Sequence, residues 1–495
     1  MKKFRFLLIL LCFCMLLPIA ACGKDEPQNE VPDDKYYYDD SSRERAADSI
    51  PEGYDLENQT ITFFIRYPNH AEVVGDSEST DIIYSKIHER NLTVTERLNV
   101  KLEYIASATA DMVPELKKEI STMSTAWEAV FPTSAQAVGN KLFNYFHNLN
   151  DSNYIDISER WWQEDAIMEL SMDNYNYRFL FGDIVISSTH RAGCIFYNKS
   201  LYEQYVSPTK DRDDIYQTVL DGNWTLEEFD RLVRKSHVER GGDGTNDIYG
   251  LIKPNSAITH FMREAVGIRT YERNAQGMPE FNFKDDRSIS FLNQLNKLVY
   301  ENPGTNYSVN AGDANLDFEN GKLIFETSAL YQVLNSSMRE MKEDFGIIPY
   351  PKFDAEQEEY ITMVHNAAFT VCIPVSTDID RANEEVSAVI EALASESYRN
   401  VSVSFYEMAL KAAYNRDDQS AQMIDIITGQ HDTIKSTVLR NFAFEYNSSL
   451  SSISNIFYTL MNNKSSDFIS KYDSIIGAAE SGLKELIKEY KDGKL

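Results

Sequence analysis

Polar side chains follow two predicted strands at the points where those strands end, and they are the first candidates for ligand chemistry. They are Arg66, Tyr67 and Asn69 after the apolar run at 61–65, and Thr133 and Ser134 after the run at 127–131. In open α/β sheets, ligands lie at the carboxyl ends of the strands. Guanidinium, amide and hydroxyl groups at those ends would donate hydrogen bonds to a polar ligand. The sequence therefore predicts that these two loops line a binding site.

Signatures of the common catalytic sites are absent from the sequence. The eight His form no His-Glu-x-x-His pair, and neither a Gly-x-Ser-x-Gly elbow nor a phosphate-binding loop occurs. Acidic pairs occur by chance among 77 carboxylates, so they do not indicate acid–base catalysis. The segment 239–247 is weakly similar to a calcium loop but lacks its oxygen spacing; a solvated turn is expected, and calcium stays open. We expect a protein that is not an enzyme and holds no cofactor or metal.

The elements that position these loops alternate between strands and helices. Apolar runs at 61–65, 100–104 and 127–131 predict strands, and apolar residues at helical spacing predict helices at 82–98 and 113–120. This βαβα order predicts parallel strands with helices on both faces of the sheet.

Later segments continue the mixed pattern. Thr225 and Glu228 have the spacing of a capping box and predict the start of a helix. The run 345–349 predicts a strand that ends at a proline, and apolar residues at helical spacing between 453 and 487 predict long terminal helices.

Composition limits the class of protein. The chain has 495 residues of which 43% are hydrophobic, so it is globular and large enough for one or two cores. Its formal net charge is −29, which argues against binding to nucleic acid and against electrostatic attachment to anionic lipid.

The N-terminus has the pattern of an export signal. Lys2, Lys3 and Arg5 precede an apolar run, which ends in small residues before Cys22. This spacing resembles a bacterial lipobox, so we expect a signal peptide at 1–21, a lipidated (palmitate-bearing) Cys22, and a polar tether to about residue 54. Lipid would hold the protein on the extracellular face of the cell membrane. An ordinary cleaved signal with a chance cysteine is the alternative.

Two cysteines, Cys194 and Cys372, remain beyond this segment, and each lies in an apolar, strand-like run. Two cysteines cannot form a disulfide framework for a chain of this length. Buried free thiols are expected, and a disulfide between the two is the alternative.

Five segments now give a resemblance to a known family. They are Phe196–Tyr202, Asn223–Phe229, Ile248–Leu251, Phe318–Lys322 and Phe345–Pro351. In this order they resemble the extracellular solute-binding proteins, family 1, of bacterial ABC importers, to which the maltose-binding protein is related.

The resemblance implies a two-lobe α/β fold of the type II periplasmic-binding-protein kind, with a mostly parallel, helix-flanked sheet in each lobe and hinge strands between the lobes. Lobe one would comprise 55–190 and 373–440, and lobe two 195–365 and 445–495. Cys194 and Cys372 would then lie on the hinge strands. A carbohydrate would bind between the lobes of a monomer and pass to the membrane permease.

The resemblance also implies site residues. Tyr331 is similar in position to a ligand-stacking tryptophan of the family, and Phe457 less closely to a second one; for both rings a packed core position is the alternative. Arg191 lies where the family has a ligand carboxylate. It could bind vicinal hydroxyls or a sugar carboxylate, or form a salt bridge at the hinge.

Trp161 and Trp162 precede a predicted helix, and we expect one ring to face the core and the other to face the cleft.

Two functions other than a carbohydrate receptor stay open. The first is a surface-anchored enzyme that acts on glycosides, which would need catalytic carboxylates in a cleft. The second is a structural or adhesive lipoprotein, which would lack a deep cleft.

Overall fold

The computed structural model describes residues 43, 46–79, 81–173, 175–207, 214–240, 246–308, 314–412, 418–431, 433–439 and 450–493. They belong to a single compact unit that spans Ser41–Leu495. The predicted signal peptide, the lipidation site at Cys22 and residues 241–245 of the possible calcium loop lie outside the described ranges.

The first part of the chain forms a parallel sheet, and the βαβα prediction is confirmed. The elements are β1 (Gln59–Ile65), α1 (Ala71–Val74), α2 (Ile82–Leu98), β2 (Val100–Ala106), α3 (Val113–Ser121) and β3 (Ala129–Phe131). The strand order is β2-β1-β3, with Gln59 opposite Val100 and Phe63 opposite Ala129. Since all three strands run in one direction, their carboxyl ends meet at one edge of the sheet.

Helix α2 shows how the sequence determines these elements. Asp81 caps its first turn by accepting a hydrogen bond from the Ile83 amide, and Asn99 ends it in the left-handed conformation at φ 48°. Ile83, Ile87 and Leu98 are buried along one face, which packs the helix on the sheet.

The chain then leaves the first sheet through a series of short helices. The elements are α4 (Ser134–Gly139), α5 (Glu164–Leu170), α6 (Ser187–His190) and β4 (Gly193–Asn198), with a 3₁₀ turn at Leu142–Tyr145. Every residue of β4 is buried, because this strand is the centre of the second sheet.

The remaining strands are β5 (Leu251–Ile252), β6 (Tyr271–Arg273), β7 (Pro279–Phe281), β8 (Thr305–Asn306), β9 (Phe325–Ala329), β10 (Phe345–Ile348), β11 (Tyr360–Met363) and β12 (Ser436–Leu439). Strand β4 is antiparallel to both β9 and β10, and β5 is parallel to β8. Hydrogen bonds from the Ile324 and Phe325 amides to the Tyr249 and Gly250 carbonyls join these pairs into one sheet. The second sheet is therefore mixed, with the hinge strand β4 running against its neighbours.

The remaining helices are α7 (Lys199–Leu201), α8 (Ile215–Leu220), α9 (Leu226–Lys235), α10 (Ser256–Ala265), α11 (Asp286–Asn296), α12 (Ala314–Glu319), α13 (Ser336–Arg339), α14 (Ile379–Arg381), α15 (Ser387–Glu396), α16 (Ser402–Ala412), α17 (Asp418–Thr428), α18 (Ser451–Ser454), α19 (Ile456–Asn462) and α20 (Phe468–Asp492). Thr225 caps α9 by accepting from the Glu228 amide, so the predicted helix start is confirmed. None of the helices in the described ranges is both long and apolar enough to cross a membrane.

The return to the first sheet uses the segment after β11. The Val130 and Cys372 backbones exchange two hydrogen bonds, and the Leu180 and Val371 backbones exchange two more. Cys194 and Cys372 are buried free thiols, as expected. Burial raises the pKa of both thiols, so they stay protonated at neutral pH.

The C-terminal third contacts both halves of the molecule. Strand β12 pairs in parallel with β11, and Ser420 of α17 hydrogen-bonds the Tyr216 hydroxyl at 3.1 Å. At the far end of α20, Tyr490 donates to Asp173 at 2.7 Å. Helix α17 and strand β12, which are predicted to belong to lobe one, thus contact elements predicted for lobe two. Helix α20, which is predicted to belong to lobe two, contacts Asp173 in the part predicted for lobe one.

Candidate ligand-binding site

The hinge brings the two crossing segments of the chain side by side. The His365 amide donates to the Arg191 carbonyl at 2.9 Å, and Ala192 lies opposite Val364 in an antiparallel bridge. Arg191 directly precedes β4 of the second sheet, and after His365 the chain returns to the first sheet at Val371 and Cys372. Arg191 and His365 therefore lie where the chain connects the two sheets.

A cavity of about 290 Å³ opens beside this hinge. Its polar lining consists of Arg191, Asn255, Asn315, Thr327, Ser328, Tyr331 and His365, and its apolar lining of Ile252, Ala257, Ile258, Phe261, Ala314, Leu323, Phe325 and Ala329. The structure thus brings Tyr331 and Arg191, predicted from distant parts of the sequence, to one cavity. We call this the cleft cavity.

Tyr331 lies on a 3₁₀ turn, Leu330–Leu334, which follows β9. Its side chain is 38% exposed, whereas Leu330 and Val333 of the same turn are buried and anchor it. Gln332 donates to the buried Glu326 of β9 at 3.0 Å, which also holds the turn in place. The ring is therefore presented to the cavity by a rigid support.

Arg191 is tied to the loop after β1 through a residue that was not predicted, Glu72. Arg66 donates to Asn69 at 2.9 Å, Asn69 donates to Glu72 at 3.3 Å, and Arg191 lies 3.5 Å from the same carboxylate. Arg66 and Asn69 thus join Arg191 in one network, which we call the hinge network; of these three residues only Arg191 lines the cleft cavity. Its Arg191–Glu72 pair is the hinge salt bridge given above as an alternative. In an acid-rich chain, no local pattern marks Glu72.

Burial controls the charges of the hinge network. Glu72 is 3% exposed, and its burial raises the pKa of the carboxyl, an effect that Arg191 partly opposes. His190 lies 3.8 Å from Glu72, and burial and then Arg191 hold its pKa well below the usual value. His190 is therefore neutral, and the positive charges of the network belong to Arg66 and Arg191.

Other residues predicted after β1 and β3 have different surroundings. Thr133 forms a capping box with Gln136 at the start of α4, and the buried Ser134 donates to the Asn366 carbonyl at 3.1 Å. Both hydroxyls are thus used within the fold. The Tyr67 side chain is 50% exposed, but it does not line the cleft cavity.

The expectation for Trp161 and Trp162 was that one ring would face the cleft, and the structure buries both. Their indole N–H groups donate to the two oxygens of Glu391, at 2.8 and 2.9 Å. Glu391 lies on α15 and is buried. We call these three residues the tryptophan cluster. Trp162 does line another cavity, of about 250 Å³, which contains neither Tyr331 nor Arg191.

Phe457 occupies the core position given as its alternative. It is 1% exposed, stacks on Phe468 with ring centroids 5.3 Å apart, and meets Phe291 edge-on. Its neighbours explain why an aromatic residue on an apolar helix face packs inward.

No pattern along the chain marks several residues of the cleft cavity. Asn255 caps α10 by accepting from the Ile258 amide, and Phe261 of that helix stacks on Tyr350 at 5.6 Å. His365 accepts from the Ala367 amide through Nδ1 at 3.1 Å. These residues meet only through the tertiary fold, so spacing along the chain could not identify them.

Comparison with known proteins gives matches to solved structures only. No family model and no curated protein matches the chain. A cyclo/maltodextrin-binding protein complexed with maltotetraose has a TM-score of 0.53 at 11% identity, over 88% of this chain and 96% of its own.

Two further structures are similar to the same extent. The maltose/maltodextrin-binding domain MalE from Bdellovibrio bacteriovorus, bound to maltotriose, has a TM-score of 0.52 at 13% identity, over 86% of this chain and 100% of its own. The Thermus thermophilus maltotriose binding protein, bound with maltotriose, has a TM-score of 0.50 at 13% identity, over 86% and 100%.

At these identities the likeness is one of fold, and it extends over nearly the whole of each compared protein. The paired hinge segments, the parallel first sheet and the mixed second sheet agree with it. The chain therefore has the two-lobe α/β fold of the type II periplasmic-binding proteins, as its sequence predicts.

Proposed function

We propose that this chain is the substrate-binding protein of a carbohydrate ABC importer, in the extracellular solute-binding protein family 1. It captures a sugar or oligosaccharide between its lobes and delivers it to the permease. The observation that carries the proposal is the cleft cavity, where the 38% exposed ring of Tyr331 and the guanidinium of Arg191 face one space at the hinge. A sugar requires this combination, since a ring stacks on its CH groups and planar polar groups bind its hydroxyls.

Two further observations support a carbohydrate. The compared structures of the same fold were solved with maltotetraose or maltotriose. The cavity also carries amide and hydroxyl groups, from Asn255, Asn315, Thr327 and Ser328, which can donate to and accept from sugar hydroxyls.

The proposal includes lobe closure. Lobe one comprises 55–190 and 373–440, lobe two 195–365 and 445–495, and the protein acts as a monomer. A ligand that contacts Tyr331 from lobe two and the hinge network from lobe one binds the closed form better, and so shifts the population towards it.

Anchoring completes the proposed role. After removal of residues 1–21, lipid on Cys22 holds the protein at the extracellular face of the membrane, and the tether separates the lobes from it. The Cys22→Ser variant is then expected in the culture medium or the soluble fraction. A variant that stays membrane-bound through a high-salt wash would contradict anchoring by Cys22.

A glycan panel tests the function. The purified chain is incubated with neutral and acidic oligosaccharides, its melting temperature is recorded, and the glycans are then analysed for cleavage. A ligand raises stability by RT ln(1 + [L]/Kd), so one glycan class should raise the melting temperature and remain intact. Cleaved product would favour the glycoside-active enzyme instead, and no shift with any glycan would contradict the receptor.

A further inference from the structure

The described lining of the cleft cavity contains no carboxylate, although the protein as a whole is strongly acidic. The chain has 77 acidic residues and a formal net charge of −29. Among the described residues that line the cavity there is no Asp or Glu, whereas Arg191 and His365 are both present. In so acidic a protein, a concave site without carboxylates is a specific local feature.

The hinge network holds a second guanidinium, that of Arg66, which has no carboxylate of its own in the ranges that the structure describes. Within the described residues, Arg66 has neither a hydrogen bond nor an ion pair to a carboxylate; its partner is the neutral Asn69, at 2.9 Å. Arg191 lies close enough to lower the pKa of Arg66, after the larger effect of burial. Two guanidinium groups therefore share one buried carboxylate, Glu72.

Arg191 also has spare hydrogen-bonding capacity. Its only carboxylate contact in the described part of the chain is the long one to Glu72, at 3.5 Å, and its Nε atom is buried without a partner. A buried donor without a partner costs free energy unless a ligand satisfies it. A planar guanidinium with free donors matches a planar carboxylate.

We propose that the ligand of the cleft cavity is an acidic glycan, whose anionic group binds between Arg191 and Arg66 while a sugar ring lies against Tyr331. This rests on the proposed carbohydrate function and adds the charge of the ligand to it. Glu72 limits the affinity for the anionic group, because its carboxylate offsets part of the positive charge of the two arginines. Its burial disfavours the charged carboxylate and so weakens this offset.

The test compares glycans that differ only in charge. Calorimetric titration into the full chain uses two matched pairs of glycans. The first pair is trigalacturonate and its carboxyl-reduced trisaccharide, and the second is a sulfated trisaccharide and its neutral parent. We expect the acidic glycan with the preferred anionic group to bind about 10- to 100-fold more tightly than its neutral counterpart. This factor corresponds to the contribution of a hydrogen bond to a charged group. The preference should shrink in 1 M salt. The carboxylate and sulfate arms identify which anion supplies the charge.

Variants separate charge recognition from stability. Arg66→Gln should remove most of the preference without unfolding the protein, because no buried acid loses its partner. Glu72→Gln should strengthen acidic-glycan binding several-fold, which a merely structural role for Glu72 would not do. Arg234→Gln, at an exposed arginine paired with Asp230 on α9, is the matched control and should change nothing.

The outcomes distinguish the two proposals. Equal or tighter binding of the neutral trisaccharides would overturn the charge inference and leave the carbohydrate receptor intact. Binding of neither glycan class would overturn both. Inorganic sulfate that competes as strongly as the sulfated trisaccharide would show a site for the free anion and would also overturn the inference.

Discussion

The cleft cavity and the tryptophan cluster both combine aromatic rings with polar groups, but they differ in whether those groups are already paired within the fold. In the tryptophan cluster both indole N–H groups donate to Glu391, at 2.8 and 2.9 Å, and both rings are buried. In the cleft the Tyr331 ring is partly exposed, and Arg191 Nε has no partner among the described residues. Residue types therefore do not separate a candidate binding site from a core, because exposure and hydrogen-bond partners decide what a side chain can do.

The largest expected effect is on stability at the tryptophan cluster. Trp161→Ala removes a ring that is 1% exposed and should lower the free energy of unfolding by about 3–5 kcal/mol. Urea unfolding followed by circular dichroism measures it. A loss below about 1 kcal/mol, the scale of an ordinary surface substitution, would mean that this cluster is no more a core than the cleft is.

Tyr331→Ala is the matching substitution at the cleft. It should lower the affinity for the bound glycan by about 1–3 kcal/mol, because one stacking face is lost, and should leave unfolding nearly unchanged. Melting without ligand and titration with ligand measure the two effects. A variant that melts like Trp161→Ala would place the ring in the core, and unchanged affinity would remove Tyr331 from the site.

Each of the two regions contacts a buried glutamate, and the two glutamates allow a further comparison of stability. Burial raises the pKa of both Glu326, beneath the Tyr331 turn, and Glu391 to about 8. A carboxyl in the unfolded chain titrates near pH 4.3, so the folded protein holds a proton that the unfolded chain has released. This stability is complete below about pH 4 and is lost as the pH rises towards 8, by at most about 1.4 kcal/mol per pH unit for each of the two carboxyls.

Glu326→Gln should flatten this pH dependence, since the amide oxygen can still accept from Gln332. Glu391→Gln should instead destabilise the protein across this pH range, because one amide oxygen cannot replace the two carboxyl oxygens that accept from the two indoles. Unfolding measured from pH 5 to 8 tests both. An unaltered profile for Glu326→Gln would exclude Glu326 as a source of the dependence.

The smallest expected effect is at Thr133, which was predicted to bind ligand but caps α4. Thr133→Ala should cost about 1 kcal/mol of stability and leave glycan affinity unchanged. Thr133→Ser, which retains the capping hydroxyl, is the control. A loss of affinity in Thr133→Ala with normal stability would return the residue to the site.

The fold could be predicted much further than the site. The strands near residues 61, 100 and 129 and the helix ending at Leu98 follow from local apolar periodicity and caps. Tyr331 and Arg191 were found through a resemblance in sequence. Glu72, Asn255 and His365 could not be found, because what distinguishes them is contact with residues distant in the chain.

Trp161 and Trp162 show the opposite limit. Their types suit a cleft, and the residue that holds them in the core, Glu391, lies more than 200 positions away on α15. A short sequence segment carries no information about such a partner, so burial of both rings could not be foreseen.

The paired hinge segments have a consequence for the order of events in ligand capture. The His365 amide is hydrogen-bonded to the Arg191 carbonyl where the two segments that connect the sheets lie side by side. When rigid bodies rotate about an axis, points on that axis are displaced least. In the proposed closure of the lobes, Arg191 would therefore keep nearly the same position in the open and the closed form. The proposal then implies an order of events, in which the ligand binds Arg191 first and rotation of the lobes encloses the bound ligand afterwards.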